Sequence, residues 1–296
     1  MGIKGKYRRA RKFISDDVWN VELETLGRVK RNFVRSVKVT MLTIRTFNSQ
    51  KIGFQSVALS FFCTMAVIPF IAVALALTKG LGLSDKLEAL LYANFPNNPD
   101  VVQYVMTYAD NIIRKASSSV LGFISAAFFV WLVIWMMLCV ERVFNNVWRV
   151  RKNRKFVTRF GRDVIIVIVA PLLMLLLYFG AIMMSGAIPA NALKWVLMIP
   201  MSVLVFSLMY KYIPNTKVYY KNALKASFVS ALAFIGIQFV YVESQIFLTR
   251  LSGIYGAVAA IPFFMFWLNF SWFAILVGAE LSYAFQNVDK INVDSI

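Results

Sequence analysis

Residues 54–77 run for 24 positions without a charged side chain. Two further uncharged runs follow at 121–140 and 164–184. Three more, 193–212, 226–247 and 257–281, are broken only by isolated charges. Nothing else in the chain limits its fold as strongly. A helix rises about 1.5 Å per residue, so about 20 apolar residues cross roughly 30 Å of hydrocarbon. In that medium every backbone N–H and C=O must find its partner inside the segment, which selects helix. The composition agrees: 59% of residues are hydrophobic and 16% charged, where about 25% charged is usual for a soluble domain. The chain is therefore expected to be all-α, a polytopic membrane protein with six transmembrane helices over residues 54–285. Amphipathic N-terminal helices are expected in 1–53, a helical external connection in 78–120, and a short tail at 286–296.

The charges orient the spans. Segments before span 1, between spans 2 and 3, between spans 4 and 5, and after span 6 hold 26 Lys and Arg; the alternate segments hold 6. Bases concentrate on the cytoplasmic side of a membrane, which places both termini there. Bases that flank spans point to anionic lipid headgroups as partners rather than to a specific nucleic acid. The first apolar run starts too late, and is too long, for a cleaved signal peptide. The oligomeric state is not encoded in any of these patterns.

The outer segments carry helical periodicity. Ser15-Asp16-Asp17 is a helix-start signal, and Leu26, Val29, Phe33 and Val37 follow at helical spacing with Arg28, Arg31, Arg35 and Lys38 between them. That pattern suits a helix lying in the headgroup layer or packed on the cytoplasmic loops. In 78–120, Leu83, Leu87, Leu90 and Leu91 form one stripe. Asn98-Pro99-Asp100 starts a second helix with a cap, a first-position proline and a first-turn acid.

Polar groups at membrane depth cost free energy and are the functional candidates. Glu243 lies in the fifth span with Gln238 nearby and Arg250 two turns on. Glu280 lies late in the sixth span, which also carries Asn269 and Ser271. Either carboxylate serves equally as an ion-paired strut. Pro171 and Pro262 mark early kinks in the third and sixth spans. Gly253 and Gly256 make the outer turn of the last hairpin mobile, with Tyr255 at headgroup level. Pro214 and Asn215 fix the turn between spans four and five.

Enzymatic constellations are missing. The chain has no His, so it builds no His-dependent zinc site or catalytic triad. It has no GxxxxGK[ST] phosphate loop and no GxSxG elbow. Cys63 and Cys139 both sit in apolar runs, which excludes a disulfide scaffold. No cofactor and no catalytic residue are expected.

Four segments carry a resemblance. They are Ser56-Val-Ala-Leu-Ser-Phe-Phe-Cys-Thr64 followed by Pro69, Glu141-Arg-Val-Phe-Asn-Asn-Val-Trp-Arg-Val150, Tyr212-Ile-Pro-Asn-Thr216, and Ser252-Gly-Ile-Tyr-Gly-Ala257 leading to Gly278-Ala-Glu-Leu281. In order and spacing they resemble the BrkB/YihY family of bacterial inner-membrane proteins over most of residues 50–286. The resemblance implies a six-span protein of the cytoplasmic membrane with a transport role, for a lipid or envelope component, as proposed for relatives. The name ribonuclease BN has been attached to that family; a chain without His ligands gives zinc-type hydrolysis no support. The alternative function is a non-transporting envelope assembly or scaffold protein.

Overall fold

The structure is a computed structural model. It describes residues 27–80, 120–150, 190–255 and 260–289, with helical residues 89, 92, 99, 100, 102–104, 106, 107 and 111 between the second and third of its long helices. Side chains of 68–80, 120–126, 129, 130, 133, 190–197, 245–255 and 260 are outside that description. Six helices are described at length: α1 (Arg28–Ser49), α2 (Ile52–Gly80), α3 (Val120–Val147), α4 (Ala190–Tyr212), α5 (Tyr220–Tyr255) and α6 (Ala260–Asn287). Among the described residues all regular structure is helical. The third expected span, with Pro171, lies outside them, as do Ser15–Asp17 and Gly256.

Helices α2 to α6 stand where the apolar runs predict helices, and most continue past the apolar stretch. By length and apolar content, Tyr220–Ser244 and Ile261–Asn287 are long enough to cross a membrane, and Ile52–Val67 and Met198–Tyr212 are shorter apolar stretches. The six-span count is thus not reproduced among the described residues.

Helix α6 is the hub and packs against all five other described helices. Its close neighbours are α5 and α2, and α4 packs along α5. The buried core sits toward one end, where Phe144 and Val147 of α3, Phe206 and Tyr210 of α4, Ala223 and Ala226 of α5, and Leu276 and Ala279 of α6 meet. Small residues at Ala223, Ser227 and Ala231, all buried, let backbones approach, as their spacing of four predicts.

The distribution of polarity is inverted relative to a water-soluble fold. Phe54 is 76% exposed and Phe266 64%, while Glu141, Asn145, Ser230, Glu280 and Ser282 are buried. Soluble monomers hide large apolar side chains and leave charges outside. An apolar exterior over a polar-containing interior is what hydrocarbon solvent selects.

Two expectations need correction. Helix α5 runs on through Ser252 and Gly253 to Tyr255, so the turn expected at Gly253 is helical. One glycine in a helix costs only about 1 kcal/mol, and the apolar neighbours outweigh it. Pro262 stands in the first turn of α6, where its missing N–H has no carbonyl to lose, so it starts the helix rather than kinking it. Prolines inside described helices are Pro200 in α4 and Pro69 in α2.

Helix α1 is held along a second face. Its expected apolar face, Val29 and Phe33, is exposed, and the buried face is Val39, Leu42 and Thr46. Val39 and Leu42 pack on Ala284 and Val288 at the end of α6. Phe47 meets Phe273 edge-on with centroids 5.0 Å apart. Arg35 Nη2 stands 2.9 Å from Asp289 Oδ2 with both side chains nearly half exposed. An ion pair so exposed contributes at most about 1 kcal/mol. The apolar contacts therefore hold α1. We expect Arg35→Ala to leave the unfolding midpoint of the detergent-solubilised protein almost unmoved, and Leu42→Ala to lower stability by about 2–4 kcal/mol. Equal effects would refute that ranking. Burial also pushes the Lys38 ammonium below its ordinary value, with Asp289 acting in the opposite sense.

Candidate functional site

The polar groups gather where α3 ends, where α4 turns into α5, and where α6 finishes. Helix α3 closes with a tight cap. Arg149 N–H donates to Asn146 O and Val150 N–H to Asn145 O, both at 2.9 Å, with Arg149 at φ 53°. This is the double hydrogen-bonded helix end that usually places glycine at the left-handed position. Arginine there costs about 1 kcal/mol or more. Its guanidinium lies 5.2 Å over the Tyr283 ring of α6, and Trp148 meets the same ring edge-on at 5.6 Å.

One turn back from the cap, Asn145 ties α3 to the α4–α5 turn. Its Oδ1 accepts the Asn215 backbone N–H at 2.7 Å, and its Nδ2 donates to Glu141 Oε1 at 3.4 Å. Glu141 and Asn145 are four residues apart, so both face the same side of α3. Pro214 is buried within the turn. The far side of the turn is held by α6: the Tyr219 backbone N–H donates to Gln286 Oε1 at 2.8 Å, and Gln286 Nε2 donates to Lys217 O at 2.9 Å. Lys211 Nζ adds a bond to Val218 O at 3.2 Å. Pro214 and Asn215 lie in this turn. Asn145 and Gln286 hold it, and no local pattern singled them out. The available signal was the Glu141/Asn145 spacing just before a basic loop. We expect Asn145→Ala to cost about 1–3 kcal/mol, the toll of an unmade buried hydrogen bond, and to speed protease cleavage at 213–219. An unchanged cleavage rate would remove Asn145 from this role.

Glu280 lies on α6 one turn before Tyr283. It is fully buried, and neither carboxylate oxygen has a hydrogen-bond partner among the described residues. The charge of Arg149 acts on it from the helix cap. Deeper in the core, the Tyr210 hydroxyl lies 2.9 Å from Ile275 O and 2.8 Å from Ser230 Oγ. A carbonyl only accepts, so the single Tyr210 proton goes to Ile275. Ser230 then donates toward Tyr210 or toward Ala226 O at 3.0 Å. This node joins α4, α5 and α6 beneath Glu280.

The other expected positions lie away from this cluster. Glu243 is exposed on α5 and Gln238 is half-buried. Asn269 Nδ2 donates to Ser56 Oγ of α2 at 3.4 Å. The side chain of Tyr255 is outside the described set. The structure therefore brings Glu280, Pro214 and Asn215 to one end of the bundle and leaves Glu243, Gln238 and Asn269 elsewhere. Among the described residues no group of three or more His, Cys, Asp or Glu side chains is arranged to hold a metal ion.

Apolar helices with lipid-type exteriors around a polar cap define a helical membrane protein. The sequence model of the family described as virulence factor BrkB matches residues 43–294, and the chain belongs to that family. A UPF0761 membrane protein of Chromohalobacter salexigens is 30% identical over 241 residues, covering 76% of this chain and 57% of the relative. One from Legionella pneumophila is 26% identical over 270 residues, covering 88% and 64%. One from Acinetobacter baylyi is 27% identical over 273 residues, covering 85% and 63%. This chain spans less than two thirds of the length of those relatives. No solved structure matches it.

Proposed function

We propose that this chain is a six-span protein of the bacterial inner membrane, with both termini cytoplasmic, that translocates a lipid or another envelope component without enzymatic chemistry. The observation that supports this reading is Glu280. An acidic side chain fully buried and without a hydrogen-bond partner among the described residues is costly in a bundle core. Intramembrane acids of this kind mark substrate or ion pathways. It lies at the end where three of the four resembling segments converge, through Asn145, Asn215 and Glu280.

The basic loops support the orientation, and the absence of His supports a non-hydrolytic role. A second reading, a non-transporting envelope scaffold, is favoured by the dense contact of Tyr210, Ser230 and Gly278 beneath Glu280. The separating experiment is reconstitution of the whole chain into liposomes with labelled lipids and candidate solutes. Protein-dependent flux lost in Glu280→Gln supports translocation. Flux that is absent throughout, with a stoichiometric partner recovered by cross-linking, supports the scaffold.

A further inference from the structure

Helix α1 carries two apolar stripes, and α6 covers only one of them. Val39, Leu42 and Thr46 face α6. About 140° around the helix, at about 100° per residue, stand Val29, Phe33 and Ile44, which are 84%, 67% and 64% exposed. Exposed aromatic and branched side chains on a helix fixed along its other face form a surface that needs an occupant.

The charge of the helix indicates which one: Lys30 flanks the stripe, and Arg28, Arg31 and Arg45 stand on the sides away from it. Residues 28–51 hold seven bases and no acid. Arg28, Lys30, Arg31 and Arg45 are exposed, and none of the four has an ion pair among the described residues. A basic, apolar-striped helix matches an anionic lipid leaflet: the stripe meets the acyl boundary, and long basic side chains reach back to phosphates. The surface also continues into an apolar exterior, since α2 opens with exposed Phe54 and Val57. We propose that the outward stripe of α1 docks on the anionic headgroups of the adjacent membrane leaflet. Because the opposite face grips Ala284, Val288 and Asp289, docking sets the position of the α6 end that carries Glu280. The proposal does not rest on the translocation reading, because it concerns where α1 lies and not what crosses the membrane.

The test uses the full chain with Cys63→Ala, Cys139→Ala and Phe33→Cys, labelled with a polarity-sensitive fluorophore and placed in nanodiscs. One lipid set is pure phosphatidylcholine and the other contains phosphatidylglycerol. The expected result is a blue shift only with phosphatidylglycerol, reversed by about 1 M salt, where the Debye length falls to about 3 Å. Each base near an anionic surface favours docking by about fivefold. Removing three with Arg28→Gln, Lys30→Gln and Arg31→Gln is therefore expected to cut the docked-to-undocked ratio about a hundredfold. All three side chains are exposed, so the variant keeps its fold. A probe that stays in water in both lipids overturns the proposal. So does a cross-link in high yield from position 33 to another part of the chain or to a second copy, which means that protein covers the stripe. Equal blue shifts in both lipids, unmoved by salt, overturn it as well.

Discussion

Gly278→Ala is expected to separate α5 from α6 and lower stability by about 3 kcal/mol. A Cβ on Gly278 would overlap Ser230 Oγ and Tyr210 Oη and stand 2.9 Å from Ser230 Cβ. The Ser230 hydroxyl can turn about its Cα–Cβ bond, but the Tyr210 oxygen and the Ser230 Cβ cannot swing aside. The Tyr210 ring is fully buried and wedged by Phe144 and Phe206, at centroid distances of 6.2 and 6.4 Å. Ser230 sits on the backbone of α5, one bond from the contact. The helices must part instead, and overpacking of this kind costs about 1–3 kcal/mol. Parting also breaks the Tyr210 bond to Ile275 O, and an orphaned buried hydroxyl adds about 1–3 kcal/mol.

The measurement is a denaturation curve of the full chain in detergent. Ser230→Gly added to Gly278→Ala should recover part of the loss, since it removes the nearest obstacle. Phe47→Ala, at the other side of α6, should not. If Gly278→Ala unfolds at the parent midpoint, the close approach of α5 and α6 at this glycine is refuted.

The position of Gly278 was legible only as part of a motif. Its role depends on a tyrosine 68 residues earlier in the chain, and no local pattern holds that information. The helices themselves were legible because their cause is local: an uncharged run of about 20 residues must satisfy its own backbone. Their ends were less so. Helix α3 continues from the apolar run through Glu141 and Asn145 to Val147, because tertiary contacts with the α4–α5 turn satisfy those polar side chains. Which of the two α1 stripes packs on the bundle has a related cause. The sequence carries two stripes on one helix, and only the presence of Ala284 and Val288 decides which is buried. Pro214 and Asn215 are readable as turn residues because turn chemistry is written in residue type. Asn145 and Gln286 were missed because a buried amide that holds a distant turn looks like any polar residue near a helix end.

The largest functional effect is expected at Glu280, where stability and activity should move apart. Its depth in the sixth apolar run was readable. Its full burial and the lack of a hydrogen-bond partner among the described residues were not. The two functions make opposite predictions for Glu280→Gln. If Glu280 is an ion-paired strut, the substitution removes its attraction to Arg149 and lowers stability by more than about 1 kcal/mol. If the carboxylate is held unpaired for translocation, Gln keeps the volume and removes a charge that no donor compensates, so stability stays within about 1 kcal/mol of the parent or rises. Flux in liposomes would then be lost from a protein that unfolds no more easily. Glu280→Leu should show the same separation, more strongly on the stability side because a leucine suits the neighbouring Leu276 and Ala279.

Arg149→Ala sharpens the comparison. The guanidinium is exposed and stacked on Tyr283, and alanine keeps the left-handed strain while removing the charge. A strut made by Arg149 and Glu280 would show a coupling of about 1 kcal/mol or more in a double-mutant cycle. Translocation through an unpaired Glu280 predicts additive stabilities and a Glu280→Gln flux that Arg149→Ala does not restore. A loss of flux that tracks a loss of folded protein in every variant would instead assign Glu280 to the framework of the bundle and leave the scaffold reading in its place.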